Sequence, residues 1–238
     1  MKKTIGILGG MGPEATAYFY GLIIKNTKAE KDQEHIPVVI YANPGVPERT
    51  AAVLGKGPSP LPQLLEGIRV LKEAGADFIV MPCVTAHHFY NEIMREVKVN
   101  FLNLVEETVL YALRKNPKLK KAGLVSSTGT LRARLFHEAF AREAVEIIEP
   151  QEEEQERVME AIFGKEGVKA GYTSGKSREA IRDAARALIA RGAEAVIAGC
   201  TEVPLVLKAR DIEVPLIEPL QILAEASIKM AGYEVRAG

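Results

Sequence analysis

Gly75-Ala76-Asp77-Phe78-Ile79-Val80-Met81-Pro82-Cys83 decides the reading of this chain, because Gly192-Ala193-Glu194-Ala195-Val196-Ile197-Ala198-Gly199-Cys200 repeats its design. Each stretch leaves a helix through a glycine turn, enters a short apolar strand and stops at a thiol. Cys83 and Cys200 are the only 2 cysteines in the sequence, and 200 − 83 = 117. The same offset of 117 joins Gly75 to Gly192, Gly6 to Gly123 and Gly12 to Gly129. Four pairs at one offset describe an internal duplication whose halves each carry one thiol at a strand end. Two such halves suggest one site between them with sulfur on opposing sides. That geometry suits adding a proton to one face of a carbon while removing one from the other.

Working outward, short apolar runs bounded by turn residues recur at Thr4–Leu8, Pro37–Tyr41, Phe78–Met81 and Val99–Leu102, then at Ala122–Ser126, Val145–Ile148, Ala195–Ala198 and Val214–Ile217. Amphipathic segments separate them, among them Leu61–Ala74 and Arg178–Arg191, where Ile181, Ala184, Ala185, Leu188 and Ile189 mark one helical face. Near-continuous apolar strands alternating with helices predict parallel sheets covered on both sides. The expected fold class is α/β, with two Rossmann-like domains of about four strands each. The boundary is expected after Leu102, near a helix Val105–Arg114, giving domains 1–103 and 104–217. A final helix from Leu220 to Ala231, within 218–238, is expected to return to the first domain. Glu152–Arg157 reads as a solvated helix face, and Gly164–Gly175 as a loop entering the next helix.

The chain has 238 residues, 47% of them hydrophobic and 26% charged, an ordinary soluble composition. With 31 basic and 31 acidic side chains the net charge is zero, so no global field attracts nucleic acid or an anionic membrane. Small charged substrates must be held by local groups. No apolar run approaches the roughly 18–20 residues needed to cross a bilayer. Met1-Lys2-Lys3 before Ile5–Leu8 resembles the start of a signal peptide, but the apolar stretch is short and breaks at Gly9-Gly10, so it reads as a first strand. The expectation is a cytoplasmic protein with reduced thiols, no structural disulfide and no zinc site, since no CxxC or HxxxH accompanies either cysteine.

Parallel α/β sheets bind ligands beyond the carboxyl ends of their strands, where both cysteines fall. Each precedes an expected helix start, Thr85-Ala86-His87 or Thr201-Glu202, whose free N–H groups can lower a thiol pKa. The opposing reading is that cysteines, often buried, merely fill the strand ends. Gly9-Gly10-Met11-Gly12-Pro13-Glu14-Ala15-Thr16 is a glycine turn that lets backbone approach an anion, but it does not fit G-x-G-x-x-G. Its repeat partner, Ser126-Ser127-Thr128-Gly129-Thr130, offers hydroxyls and N–H groups. Met11 and Ser127 are accordingly counted with the substrate-binding candidates. Arg49 reads equally as a bidentate carboxylate clamp or as a surface arginine. His87 or His88 reads equally as a proton carrier or as packing.

Together, Gly9–Thr16, Pro47-Glu48-Arg49-Thr50, Met81-Pro82-Cys83, Thr85-Ala86-His87, Gly199-Cys200-Thr201-Glu202 and Glu218-Pro219-Leu220 resemble the aspartate/glutamate racemase family, within it the aspartate racemases. The resemblance covers nearly the whole chain. It implies cofactor-independent racemization, one cysteine acting as base and the other as acid. It also implies pseudo-symmetric α/β domains with the active site in the interdomain cleft, a homodimer and a small amino-acid substrate. By the same resemblance Cys83 and Cys200 match the catalytic thiols, and Arg49 the arginine on the substrate's side-chain carboxylate. Lys169 matches a second cationic contact, a place for which Lys165 competes. Thr85, Thr128 and Thr201 match positions lining the substrate carboxylate and amine. Val84 departs from the asparagine usual after the first cysteine, which opens another acidic or a broader range of amino acids as substrates.

Such a reaction must remove an α-proton without an electron sink, using paired acid–base groups, dry surroundings and nearby cations. No Schiff-base lysine motif, flavin signature or metal cluster is present in the sequence, so no cofactor is expected. A single-thiol decarboxylation or cis–trans isomerisation of a diacid is the rival chemistry, and the retention of both cysteines counts against it. A non-catalytic amino-acid-binding protein on the same scaffold is the rival class, with Val84 as its support.

Overall fold

The computed structural model describes residues 2–237. The chain divides into two units, Met1–Glu107 with Leu220–Gly238, and Thr108–Pro219. Each is built on a four-stranded, all-parallel sheet, and the α/β class expected from the apolar runs is what forms.

In the first unit β1 (Ile5–Gly9), β2 (Val38–Ala42), β3 (Phe78–Val80) and β4 (Phe101–Leu102) lie in the order β2-β1-β3-β4. Every residue of β1 and β3 is buried, while the outer strands β2 and β4 are only partly so, as a sheet covered on both faces requires. The helix Leu61–Glu73 buries Leu64, Gly67, Ile68 and Leu71, one stripe at helical spacing. It packs on β1 and β2 and joins Leu8, Ile79 and Met81 in one core. The helix Pro13–Asn26 starts on a proline, whose missing N–H costs nothing in a first turn. The C-terminal helix Pro219–Met230 and its tail close on this unit. Lys3 N–H donates to the Ala231 carbonyl, Thr27 bridges Val235, and the Asn26 and Gln221 amides pair.

In the second unit β5 (Lys121–Val125), β6 (Glu146–Ile148), β7 (Ala195–Ala198) and β8 (Leu216–Ile217) lie in the order β6-β5-β7-β8. The helix Lys176–Ala190 buries Ile181, Ala184, Ala185 and Leu188 against β5 and β7. The acidic run Glu152–Arg157 opens the helix Glu152–Phe163 and is exposed at Glu152, Glu153, Glu156 and Arg157. Glu154 is drawn inward by both terminal nitrogens of Arg191, at 3.0 and 2.8 Å. Gly164–Gly175 holds the 3-10 turn Val168–Ala170 rather than being wholly irregular.

The duplication is carried by the central strands. Ile5 pairs with Phe78 and Ala122 with Ala195, both displaced by 117. Gly75 (φ 88°) and Gly192 (φ 95°) end the helices before β3 and β7 in the left-handed conformation that favours glycine. At the edges the offset slips: Phe101 and Leu216, paired to Ile79 and Val196, are 115 apart. Among the described residues no helix is long and apolar enough to cross a membrane.

Candidate functional site

In the first unit β3 stops at Val80, and Met81-Pro82 carry the chain to Cys83, whose N–H donates to the Met81 carbonyl at 2.8 Å. Cys83 is 6% exposed and packs with Leu8, Met11, Val46, Met81, Ala86 and Phe89. The turn after it, Thr85–Phe89, is a 3-10 helix rather than the start of an α-helix. His87 clamps this turn. Its Nδ1 lies 2.9 Å from the Cys83 carbonyl, and its Nε2 accepts the Leu104 N–H at 3.2 Å. That pair of bonds requires the neutral ring with its proton on Nδ1. Burial lowers the imidazole pKa to about 4, so it stays neutral at pH 7. With both nitrogens engaged by backbone, His87 is a clamp and not a proton carrier. His88 is exposed.

Arg49 opens the short helix Arg49–Val53, capped by the Glu48 carboxylate, which accepts the Thr50 and Ala51 N–H groups. Its Nη1 donates to the Val46 and Pro47 carbonyls at 3.0 and 3.1 Å, and its Nη2 to the Met11 carbonyl at 3.2 Å. Nε is buried without a partner among the described residues. The guanidinium is part-buried and bonded to Met11, which shares a core with Cys83. Thr85 and Val84 are both buried beside Cys83. Val84 presents only methyl groups next to the thiol.

In the second unit β7 stops at Ala198, and Gly199 N–H donates to the Val125 carbonyl at the end of β5. Cys200, 8% exposed, points its thiol at a carboxylate: Sγ donates to Glu202 Oε2 at 2.9 Å. Thr201 Oγ1 donates to the same oxygen at 3.2 Å, and Lys169 Nζ pairs with Oε1. Glu202 is 3% exposed. Lys169 stands on the 3-10 turn Val168–Ala170, pinned by buried Val168, with its ammonium 5.4 Å from the Phe163 ring centre. Lys165 is exposed.

Burial first, and then the negative charge of Glu202, push the Cys200 thiol well above its ordinary pKa, while Lys169 works the other way. The expected lowering by a following helix end is overturned here, because only the four-residue helix Val203–Val206 follows and a buried carboxylate stands in front of it. Glu202 was missed as a functional candidate. A signal existed, since it is the one charged residue between Gly199 and Leu207 and stands at the repeat position of Thr85.

Ser127 and Thr128 form a neighbouring group at the end of β5. Ser127 caps the helix Thr128–Arg132, its Oγ accepting the Thr130 N–H at 3.3 Å. Gln155 donates to the Ser126 carbonyl at 3.0 Å and to Thr128 Oγ1 at 3.2 Å. Thr128 lines a groove of about 870 Å³ with Arg132, Arg134, Gln155, Met159 and Phe163. Among the described residues no group of three or more His, Cys, Asp or Glu is placed to hold a metal.

Residues 8–227 match the family model for Asp/Glu/Hydantoin racemase. Over 230 residues the chain is 27% identical to the broad specificity amino-acid racemase RacX of Bacillus subtilis (strain 168), covering 94% of this chain and 96% of that one. Among solved structures, it is similar to Picrophilus torridus aspartate racemase, with TM-score 0.86, 31% identity and coverage of 98% and 96%. An aspartate racemase homologue from Pyrococcus horikoshii OT3 is similar at TM-score 0.77 and 26% identity, covering 98% of this chain and 100% of that one.

Proposed function

This chain belongs to the Asp/Glu/Hydantoin racemase family, and on that premise we propose that it racemizes an acidic amino acid, aspartate first, through proton transfer between Cα and the thiols of Cys83 and Cys200. By that membership the chain is an amino-acid racemase of the Asp/Glu type. The observation that carries this proposal is the matched pair of strand ends. Two central strands with one register each deliver a buried thiol to the carboxyl edge of a parallel sheet.

In each turnover one thiolate takes the α-proton and becomes a thiol. The electron pair left on carbon is shared with the α-carboxylate, and the other thiol donates its proton to the opposite face. Burial at 6% and 8% exposure supports this chemistry, because a dry surrounding strengthens every interaction with the developing charge. Arg49 is the proposed partner of the substrate's side-chain carboxylate, with Met11 holding the guanidinium in place. Thr85, Ser127, Thr128 and Thr201 are the proposed neighbours of the amine and α-carboxylate, and Lys169 a second cationic contact. The similarity to an aspartate racemase supports aspartate as the substrate.

Buried, apolar Val84 favours a second reading, a broader range of amino acids, and the named specificity of the Bacillus subtilis relative supports it. One experiment separates them: incubation with a panel of L-amino acids in deuterated water, with chiral analysis and α-deuterium measurement. D-aspartate carrying α-deuterium, in excess over all other products, is the expected result. Comparable turnover of neutral amino acids establishes the broader reading. Absence of both enantiomer conversion and α-exchange across the panel would sink the racemase. The reaction is expected to survive hydroxylamine and chelators; loss with hydroxylamine restored by pyridoxal phosphate would overturn the cofactor-free mechanism.

A further inference from the structure

The helix Glu152–Phe163 reaches back to the end of β5 through two side chains one turn apart. Gln155 Nε2 donates to the Ser126 carbonyl at 3.0 Å and to Thr128 Oγ1 at 3.2 Å, and Met159 Sδ accepts the Thr128 N–H at 3.2 Å. Gln155 is the one neutral side chain in the run Glu152-Glu153-Glu154-Gln155-Glu156. A carbonyl oxygen can only accept, so the contact with Ser126 fixes which end of the amide faces the turn. Both amide protons are then engaged, one by Ser126 and one by Thr128. The other end, Oε1, is buried without a partner among the described residues. An unpaired buried acceptor is costly, so the amide holds this orientation against a penalty.

We propose that Gln155 is a positioning residue for the substrate: it makes Thr128 a hydrogen-bond donor and so assigns that hydroxyl to the α-carboxylate rather than to the amine. This assignment deepens the racemase reading and rests on it for the ligand. Gln155 acts through Thr128 and not on the substrate. Thr128 accepts from Gln155 and keeps its own O–H for donation, and the accepted bond polarises that O–H further. A carboxylate offers only lone pairs and an ammonium only protons, so the carboxylate is the better partner. As the α-proton leaves, negative charge spreads onto that carboxylate, and a donor fixed beforehand binds it more strongly. Glutamate at position 155 would reverse the polarity. Its carboxylate would face the Ser126 carbonyl without a proton and take the Thr128 hydroxyl for itself.

Fragments of aspartate separate the two groups. Succinate keeps both carboxylates and lacks the amine; β-alanine keeps the amine and the side-chain carboxylate and lacks the α-carboxylate. Calorimetric titration of the full chain gives a dissociation constant for each. Gln155→Leu and Gln155→Glu should each weaken succinate about 3- to 10-fold, the scale of one net hydrogen bond, and β-alanine by less than about twofold. Thr128→Val should show the same preference, and adding Gln155→Leu to it should cost nothing further, because the two residues act as one unit. In racemization, Gln155→Leu should lower kcat for aspartate by about tenfold or more while KM rises less, since the bond strengthens in the transition state. Equal weakening of the two fragments, or additive losses in the double variant, overturns the proposal. If Gln155→Leu does not fold, Gln155→Glu decides on the same fragments.

A ligand-free readout keeps this apart from the racemase reading. In magnetic resonance of the isotope-labelled chain, both Gln155 amide protons should exchange slowly with water, and Thr128→Val should speed one of them. Fast exchange of both in the wild type overturns the polarity assignment whatever the chain turns over. Slow exchange in a protein that binds neither fragment and racemizes nothing removes the racemase reading and keeps Gln155 as the group that sets Thr128.

Discussion

The turn after Cys83 and the turn after Cys200 are the same device finished in two ways. Both follow a buried central strand in one register, and both helices before those strands end on a left-handed glycine. Behind Cys83 stands a neutral imidazole bonded only to backbone. Behind Cys200 stands an ion pair, Lys169 with Glu202, reaching the sulfur itself. The difference teaches that the duplication is held by sheet packing, which tolerates no slip at its centre. The polar groups around each thiol are free to diverge, because each needs only its own partners satisfied. The surroundings of the two thiols are therefore not equivalent.

The strongest way to break the comparison is to remove each thiol in turn. Cys83→Ser and Cys200→Ser are each expected to lower racemization by about 10²–10⁴-fold, the worth of a positioned acid or base. Chiral chromatography measures the loss. Residual α-proton exchange should favour one enantiomer in the first variant and the other in the second; the same preference in both would show that the thiols do not serve opposite faces.

Arg49 belongs to the first half alone. Arg49→Ala should cost dicarboxylic substrates about 2–4 kcal/mol in kcat/KM, roughly 30- to 1000-fold, with a smaller effect on neutral amino acids. An unchanged substrate profile would free Arg49 from substrate binding.

The neutral clamp predicts a pH dependence of stability that arises in the first half. An imidazole with pKa about 6.5 in the unfolded chain falls to about 4 in His87, so the unfolded chain binds the extra proton between those values. Its contribution is fully present above about pH 6.5 and is lost as pH falls toward 4, about 3 kcal/mol in all. Urea unfolding at pH 7.5 and 4.5 checks this. The wild type should lose about 2.5 kcal/mol more between the two than His87→Asn, and equal losses would refute the clamp.

The smallest effect tests sameness. At Gly75 and Gly192 an added Cβ meets nothing within 4 Å, so alanine there costs only the left-handed backbone. Each substitution should destabilise by about 1–2 kcal/mol, and the two costs should agree. A clear inequality in denaturant midpoints would mean that the two turns are not energetically equivalent.

The strands and main helices were legible because their signals are local. An apolar run such as Phe78–Val80, or the stripe Ile181, Ala184, Ala185 and Leu188, states its own burial through its period. The cysteines were legible because the duplication made each a control for the other. The environment of each thiol was not. His87 could be read as a proton carrier until the fold set its two nitrogens between the Cys83 carbonyl and the Leu104 N–H, 17 residues away. Lys169 and Glu202 are 33 residues apart, on a 3-10 turn and a strand end that only chain folding brings together. Sequence alone determined which backbone runs are buried and where the thiols end them, since burial follows hydrophobic period. Tertiary structure decided which charge faces which thiol, since electrostatic influence depends on distance through space and on exclusion of water, and neither is written along the chain.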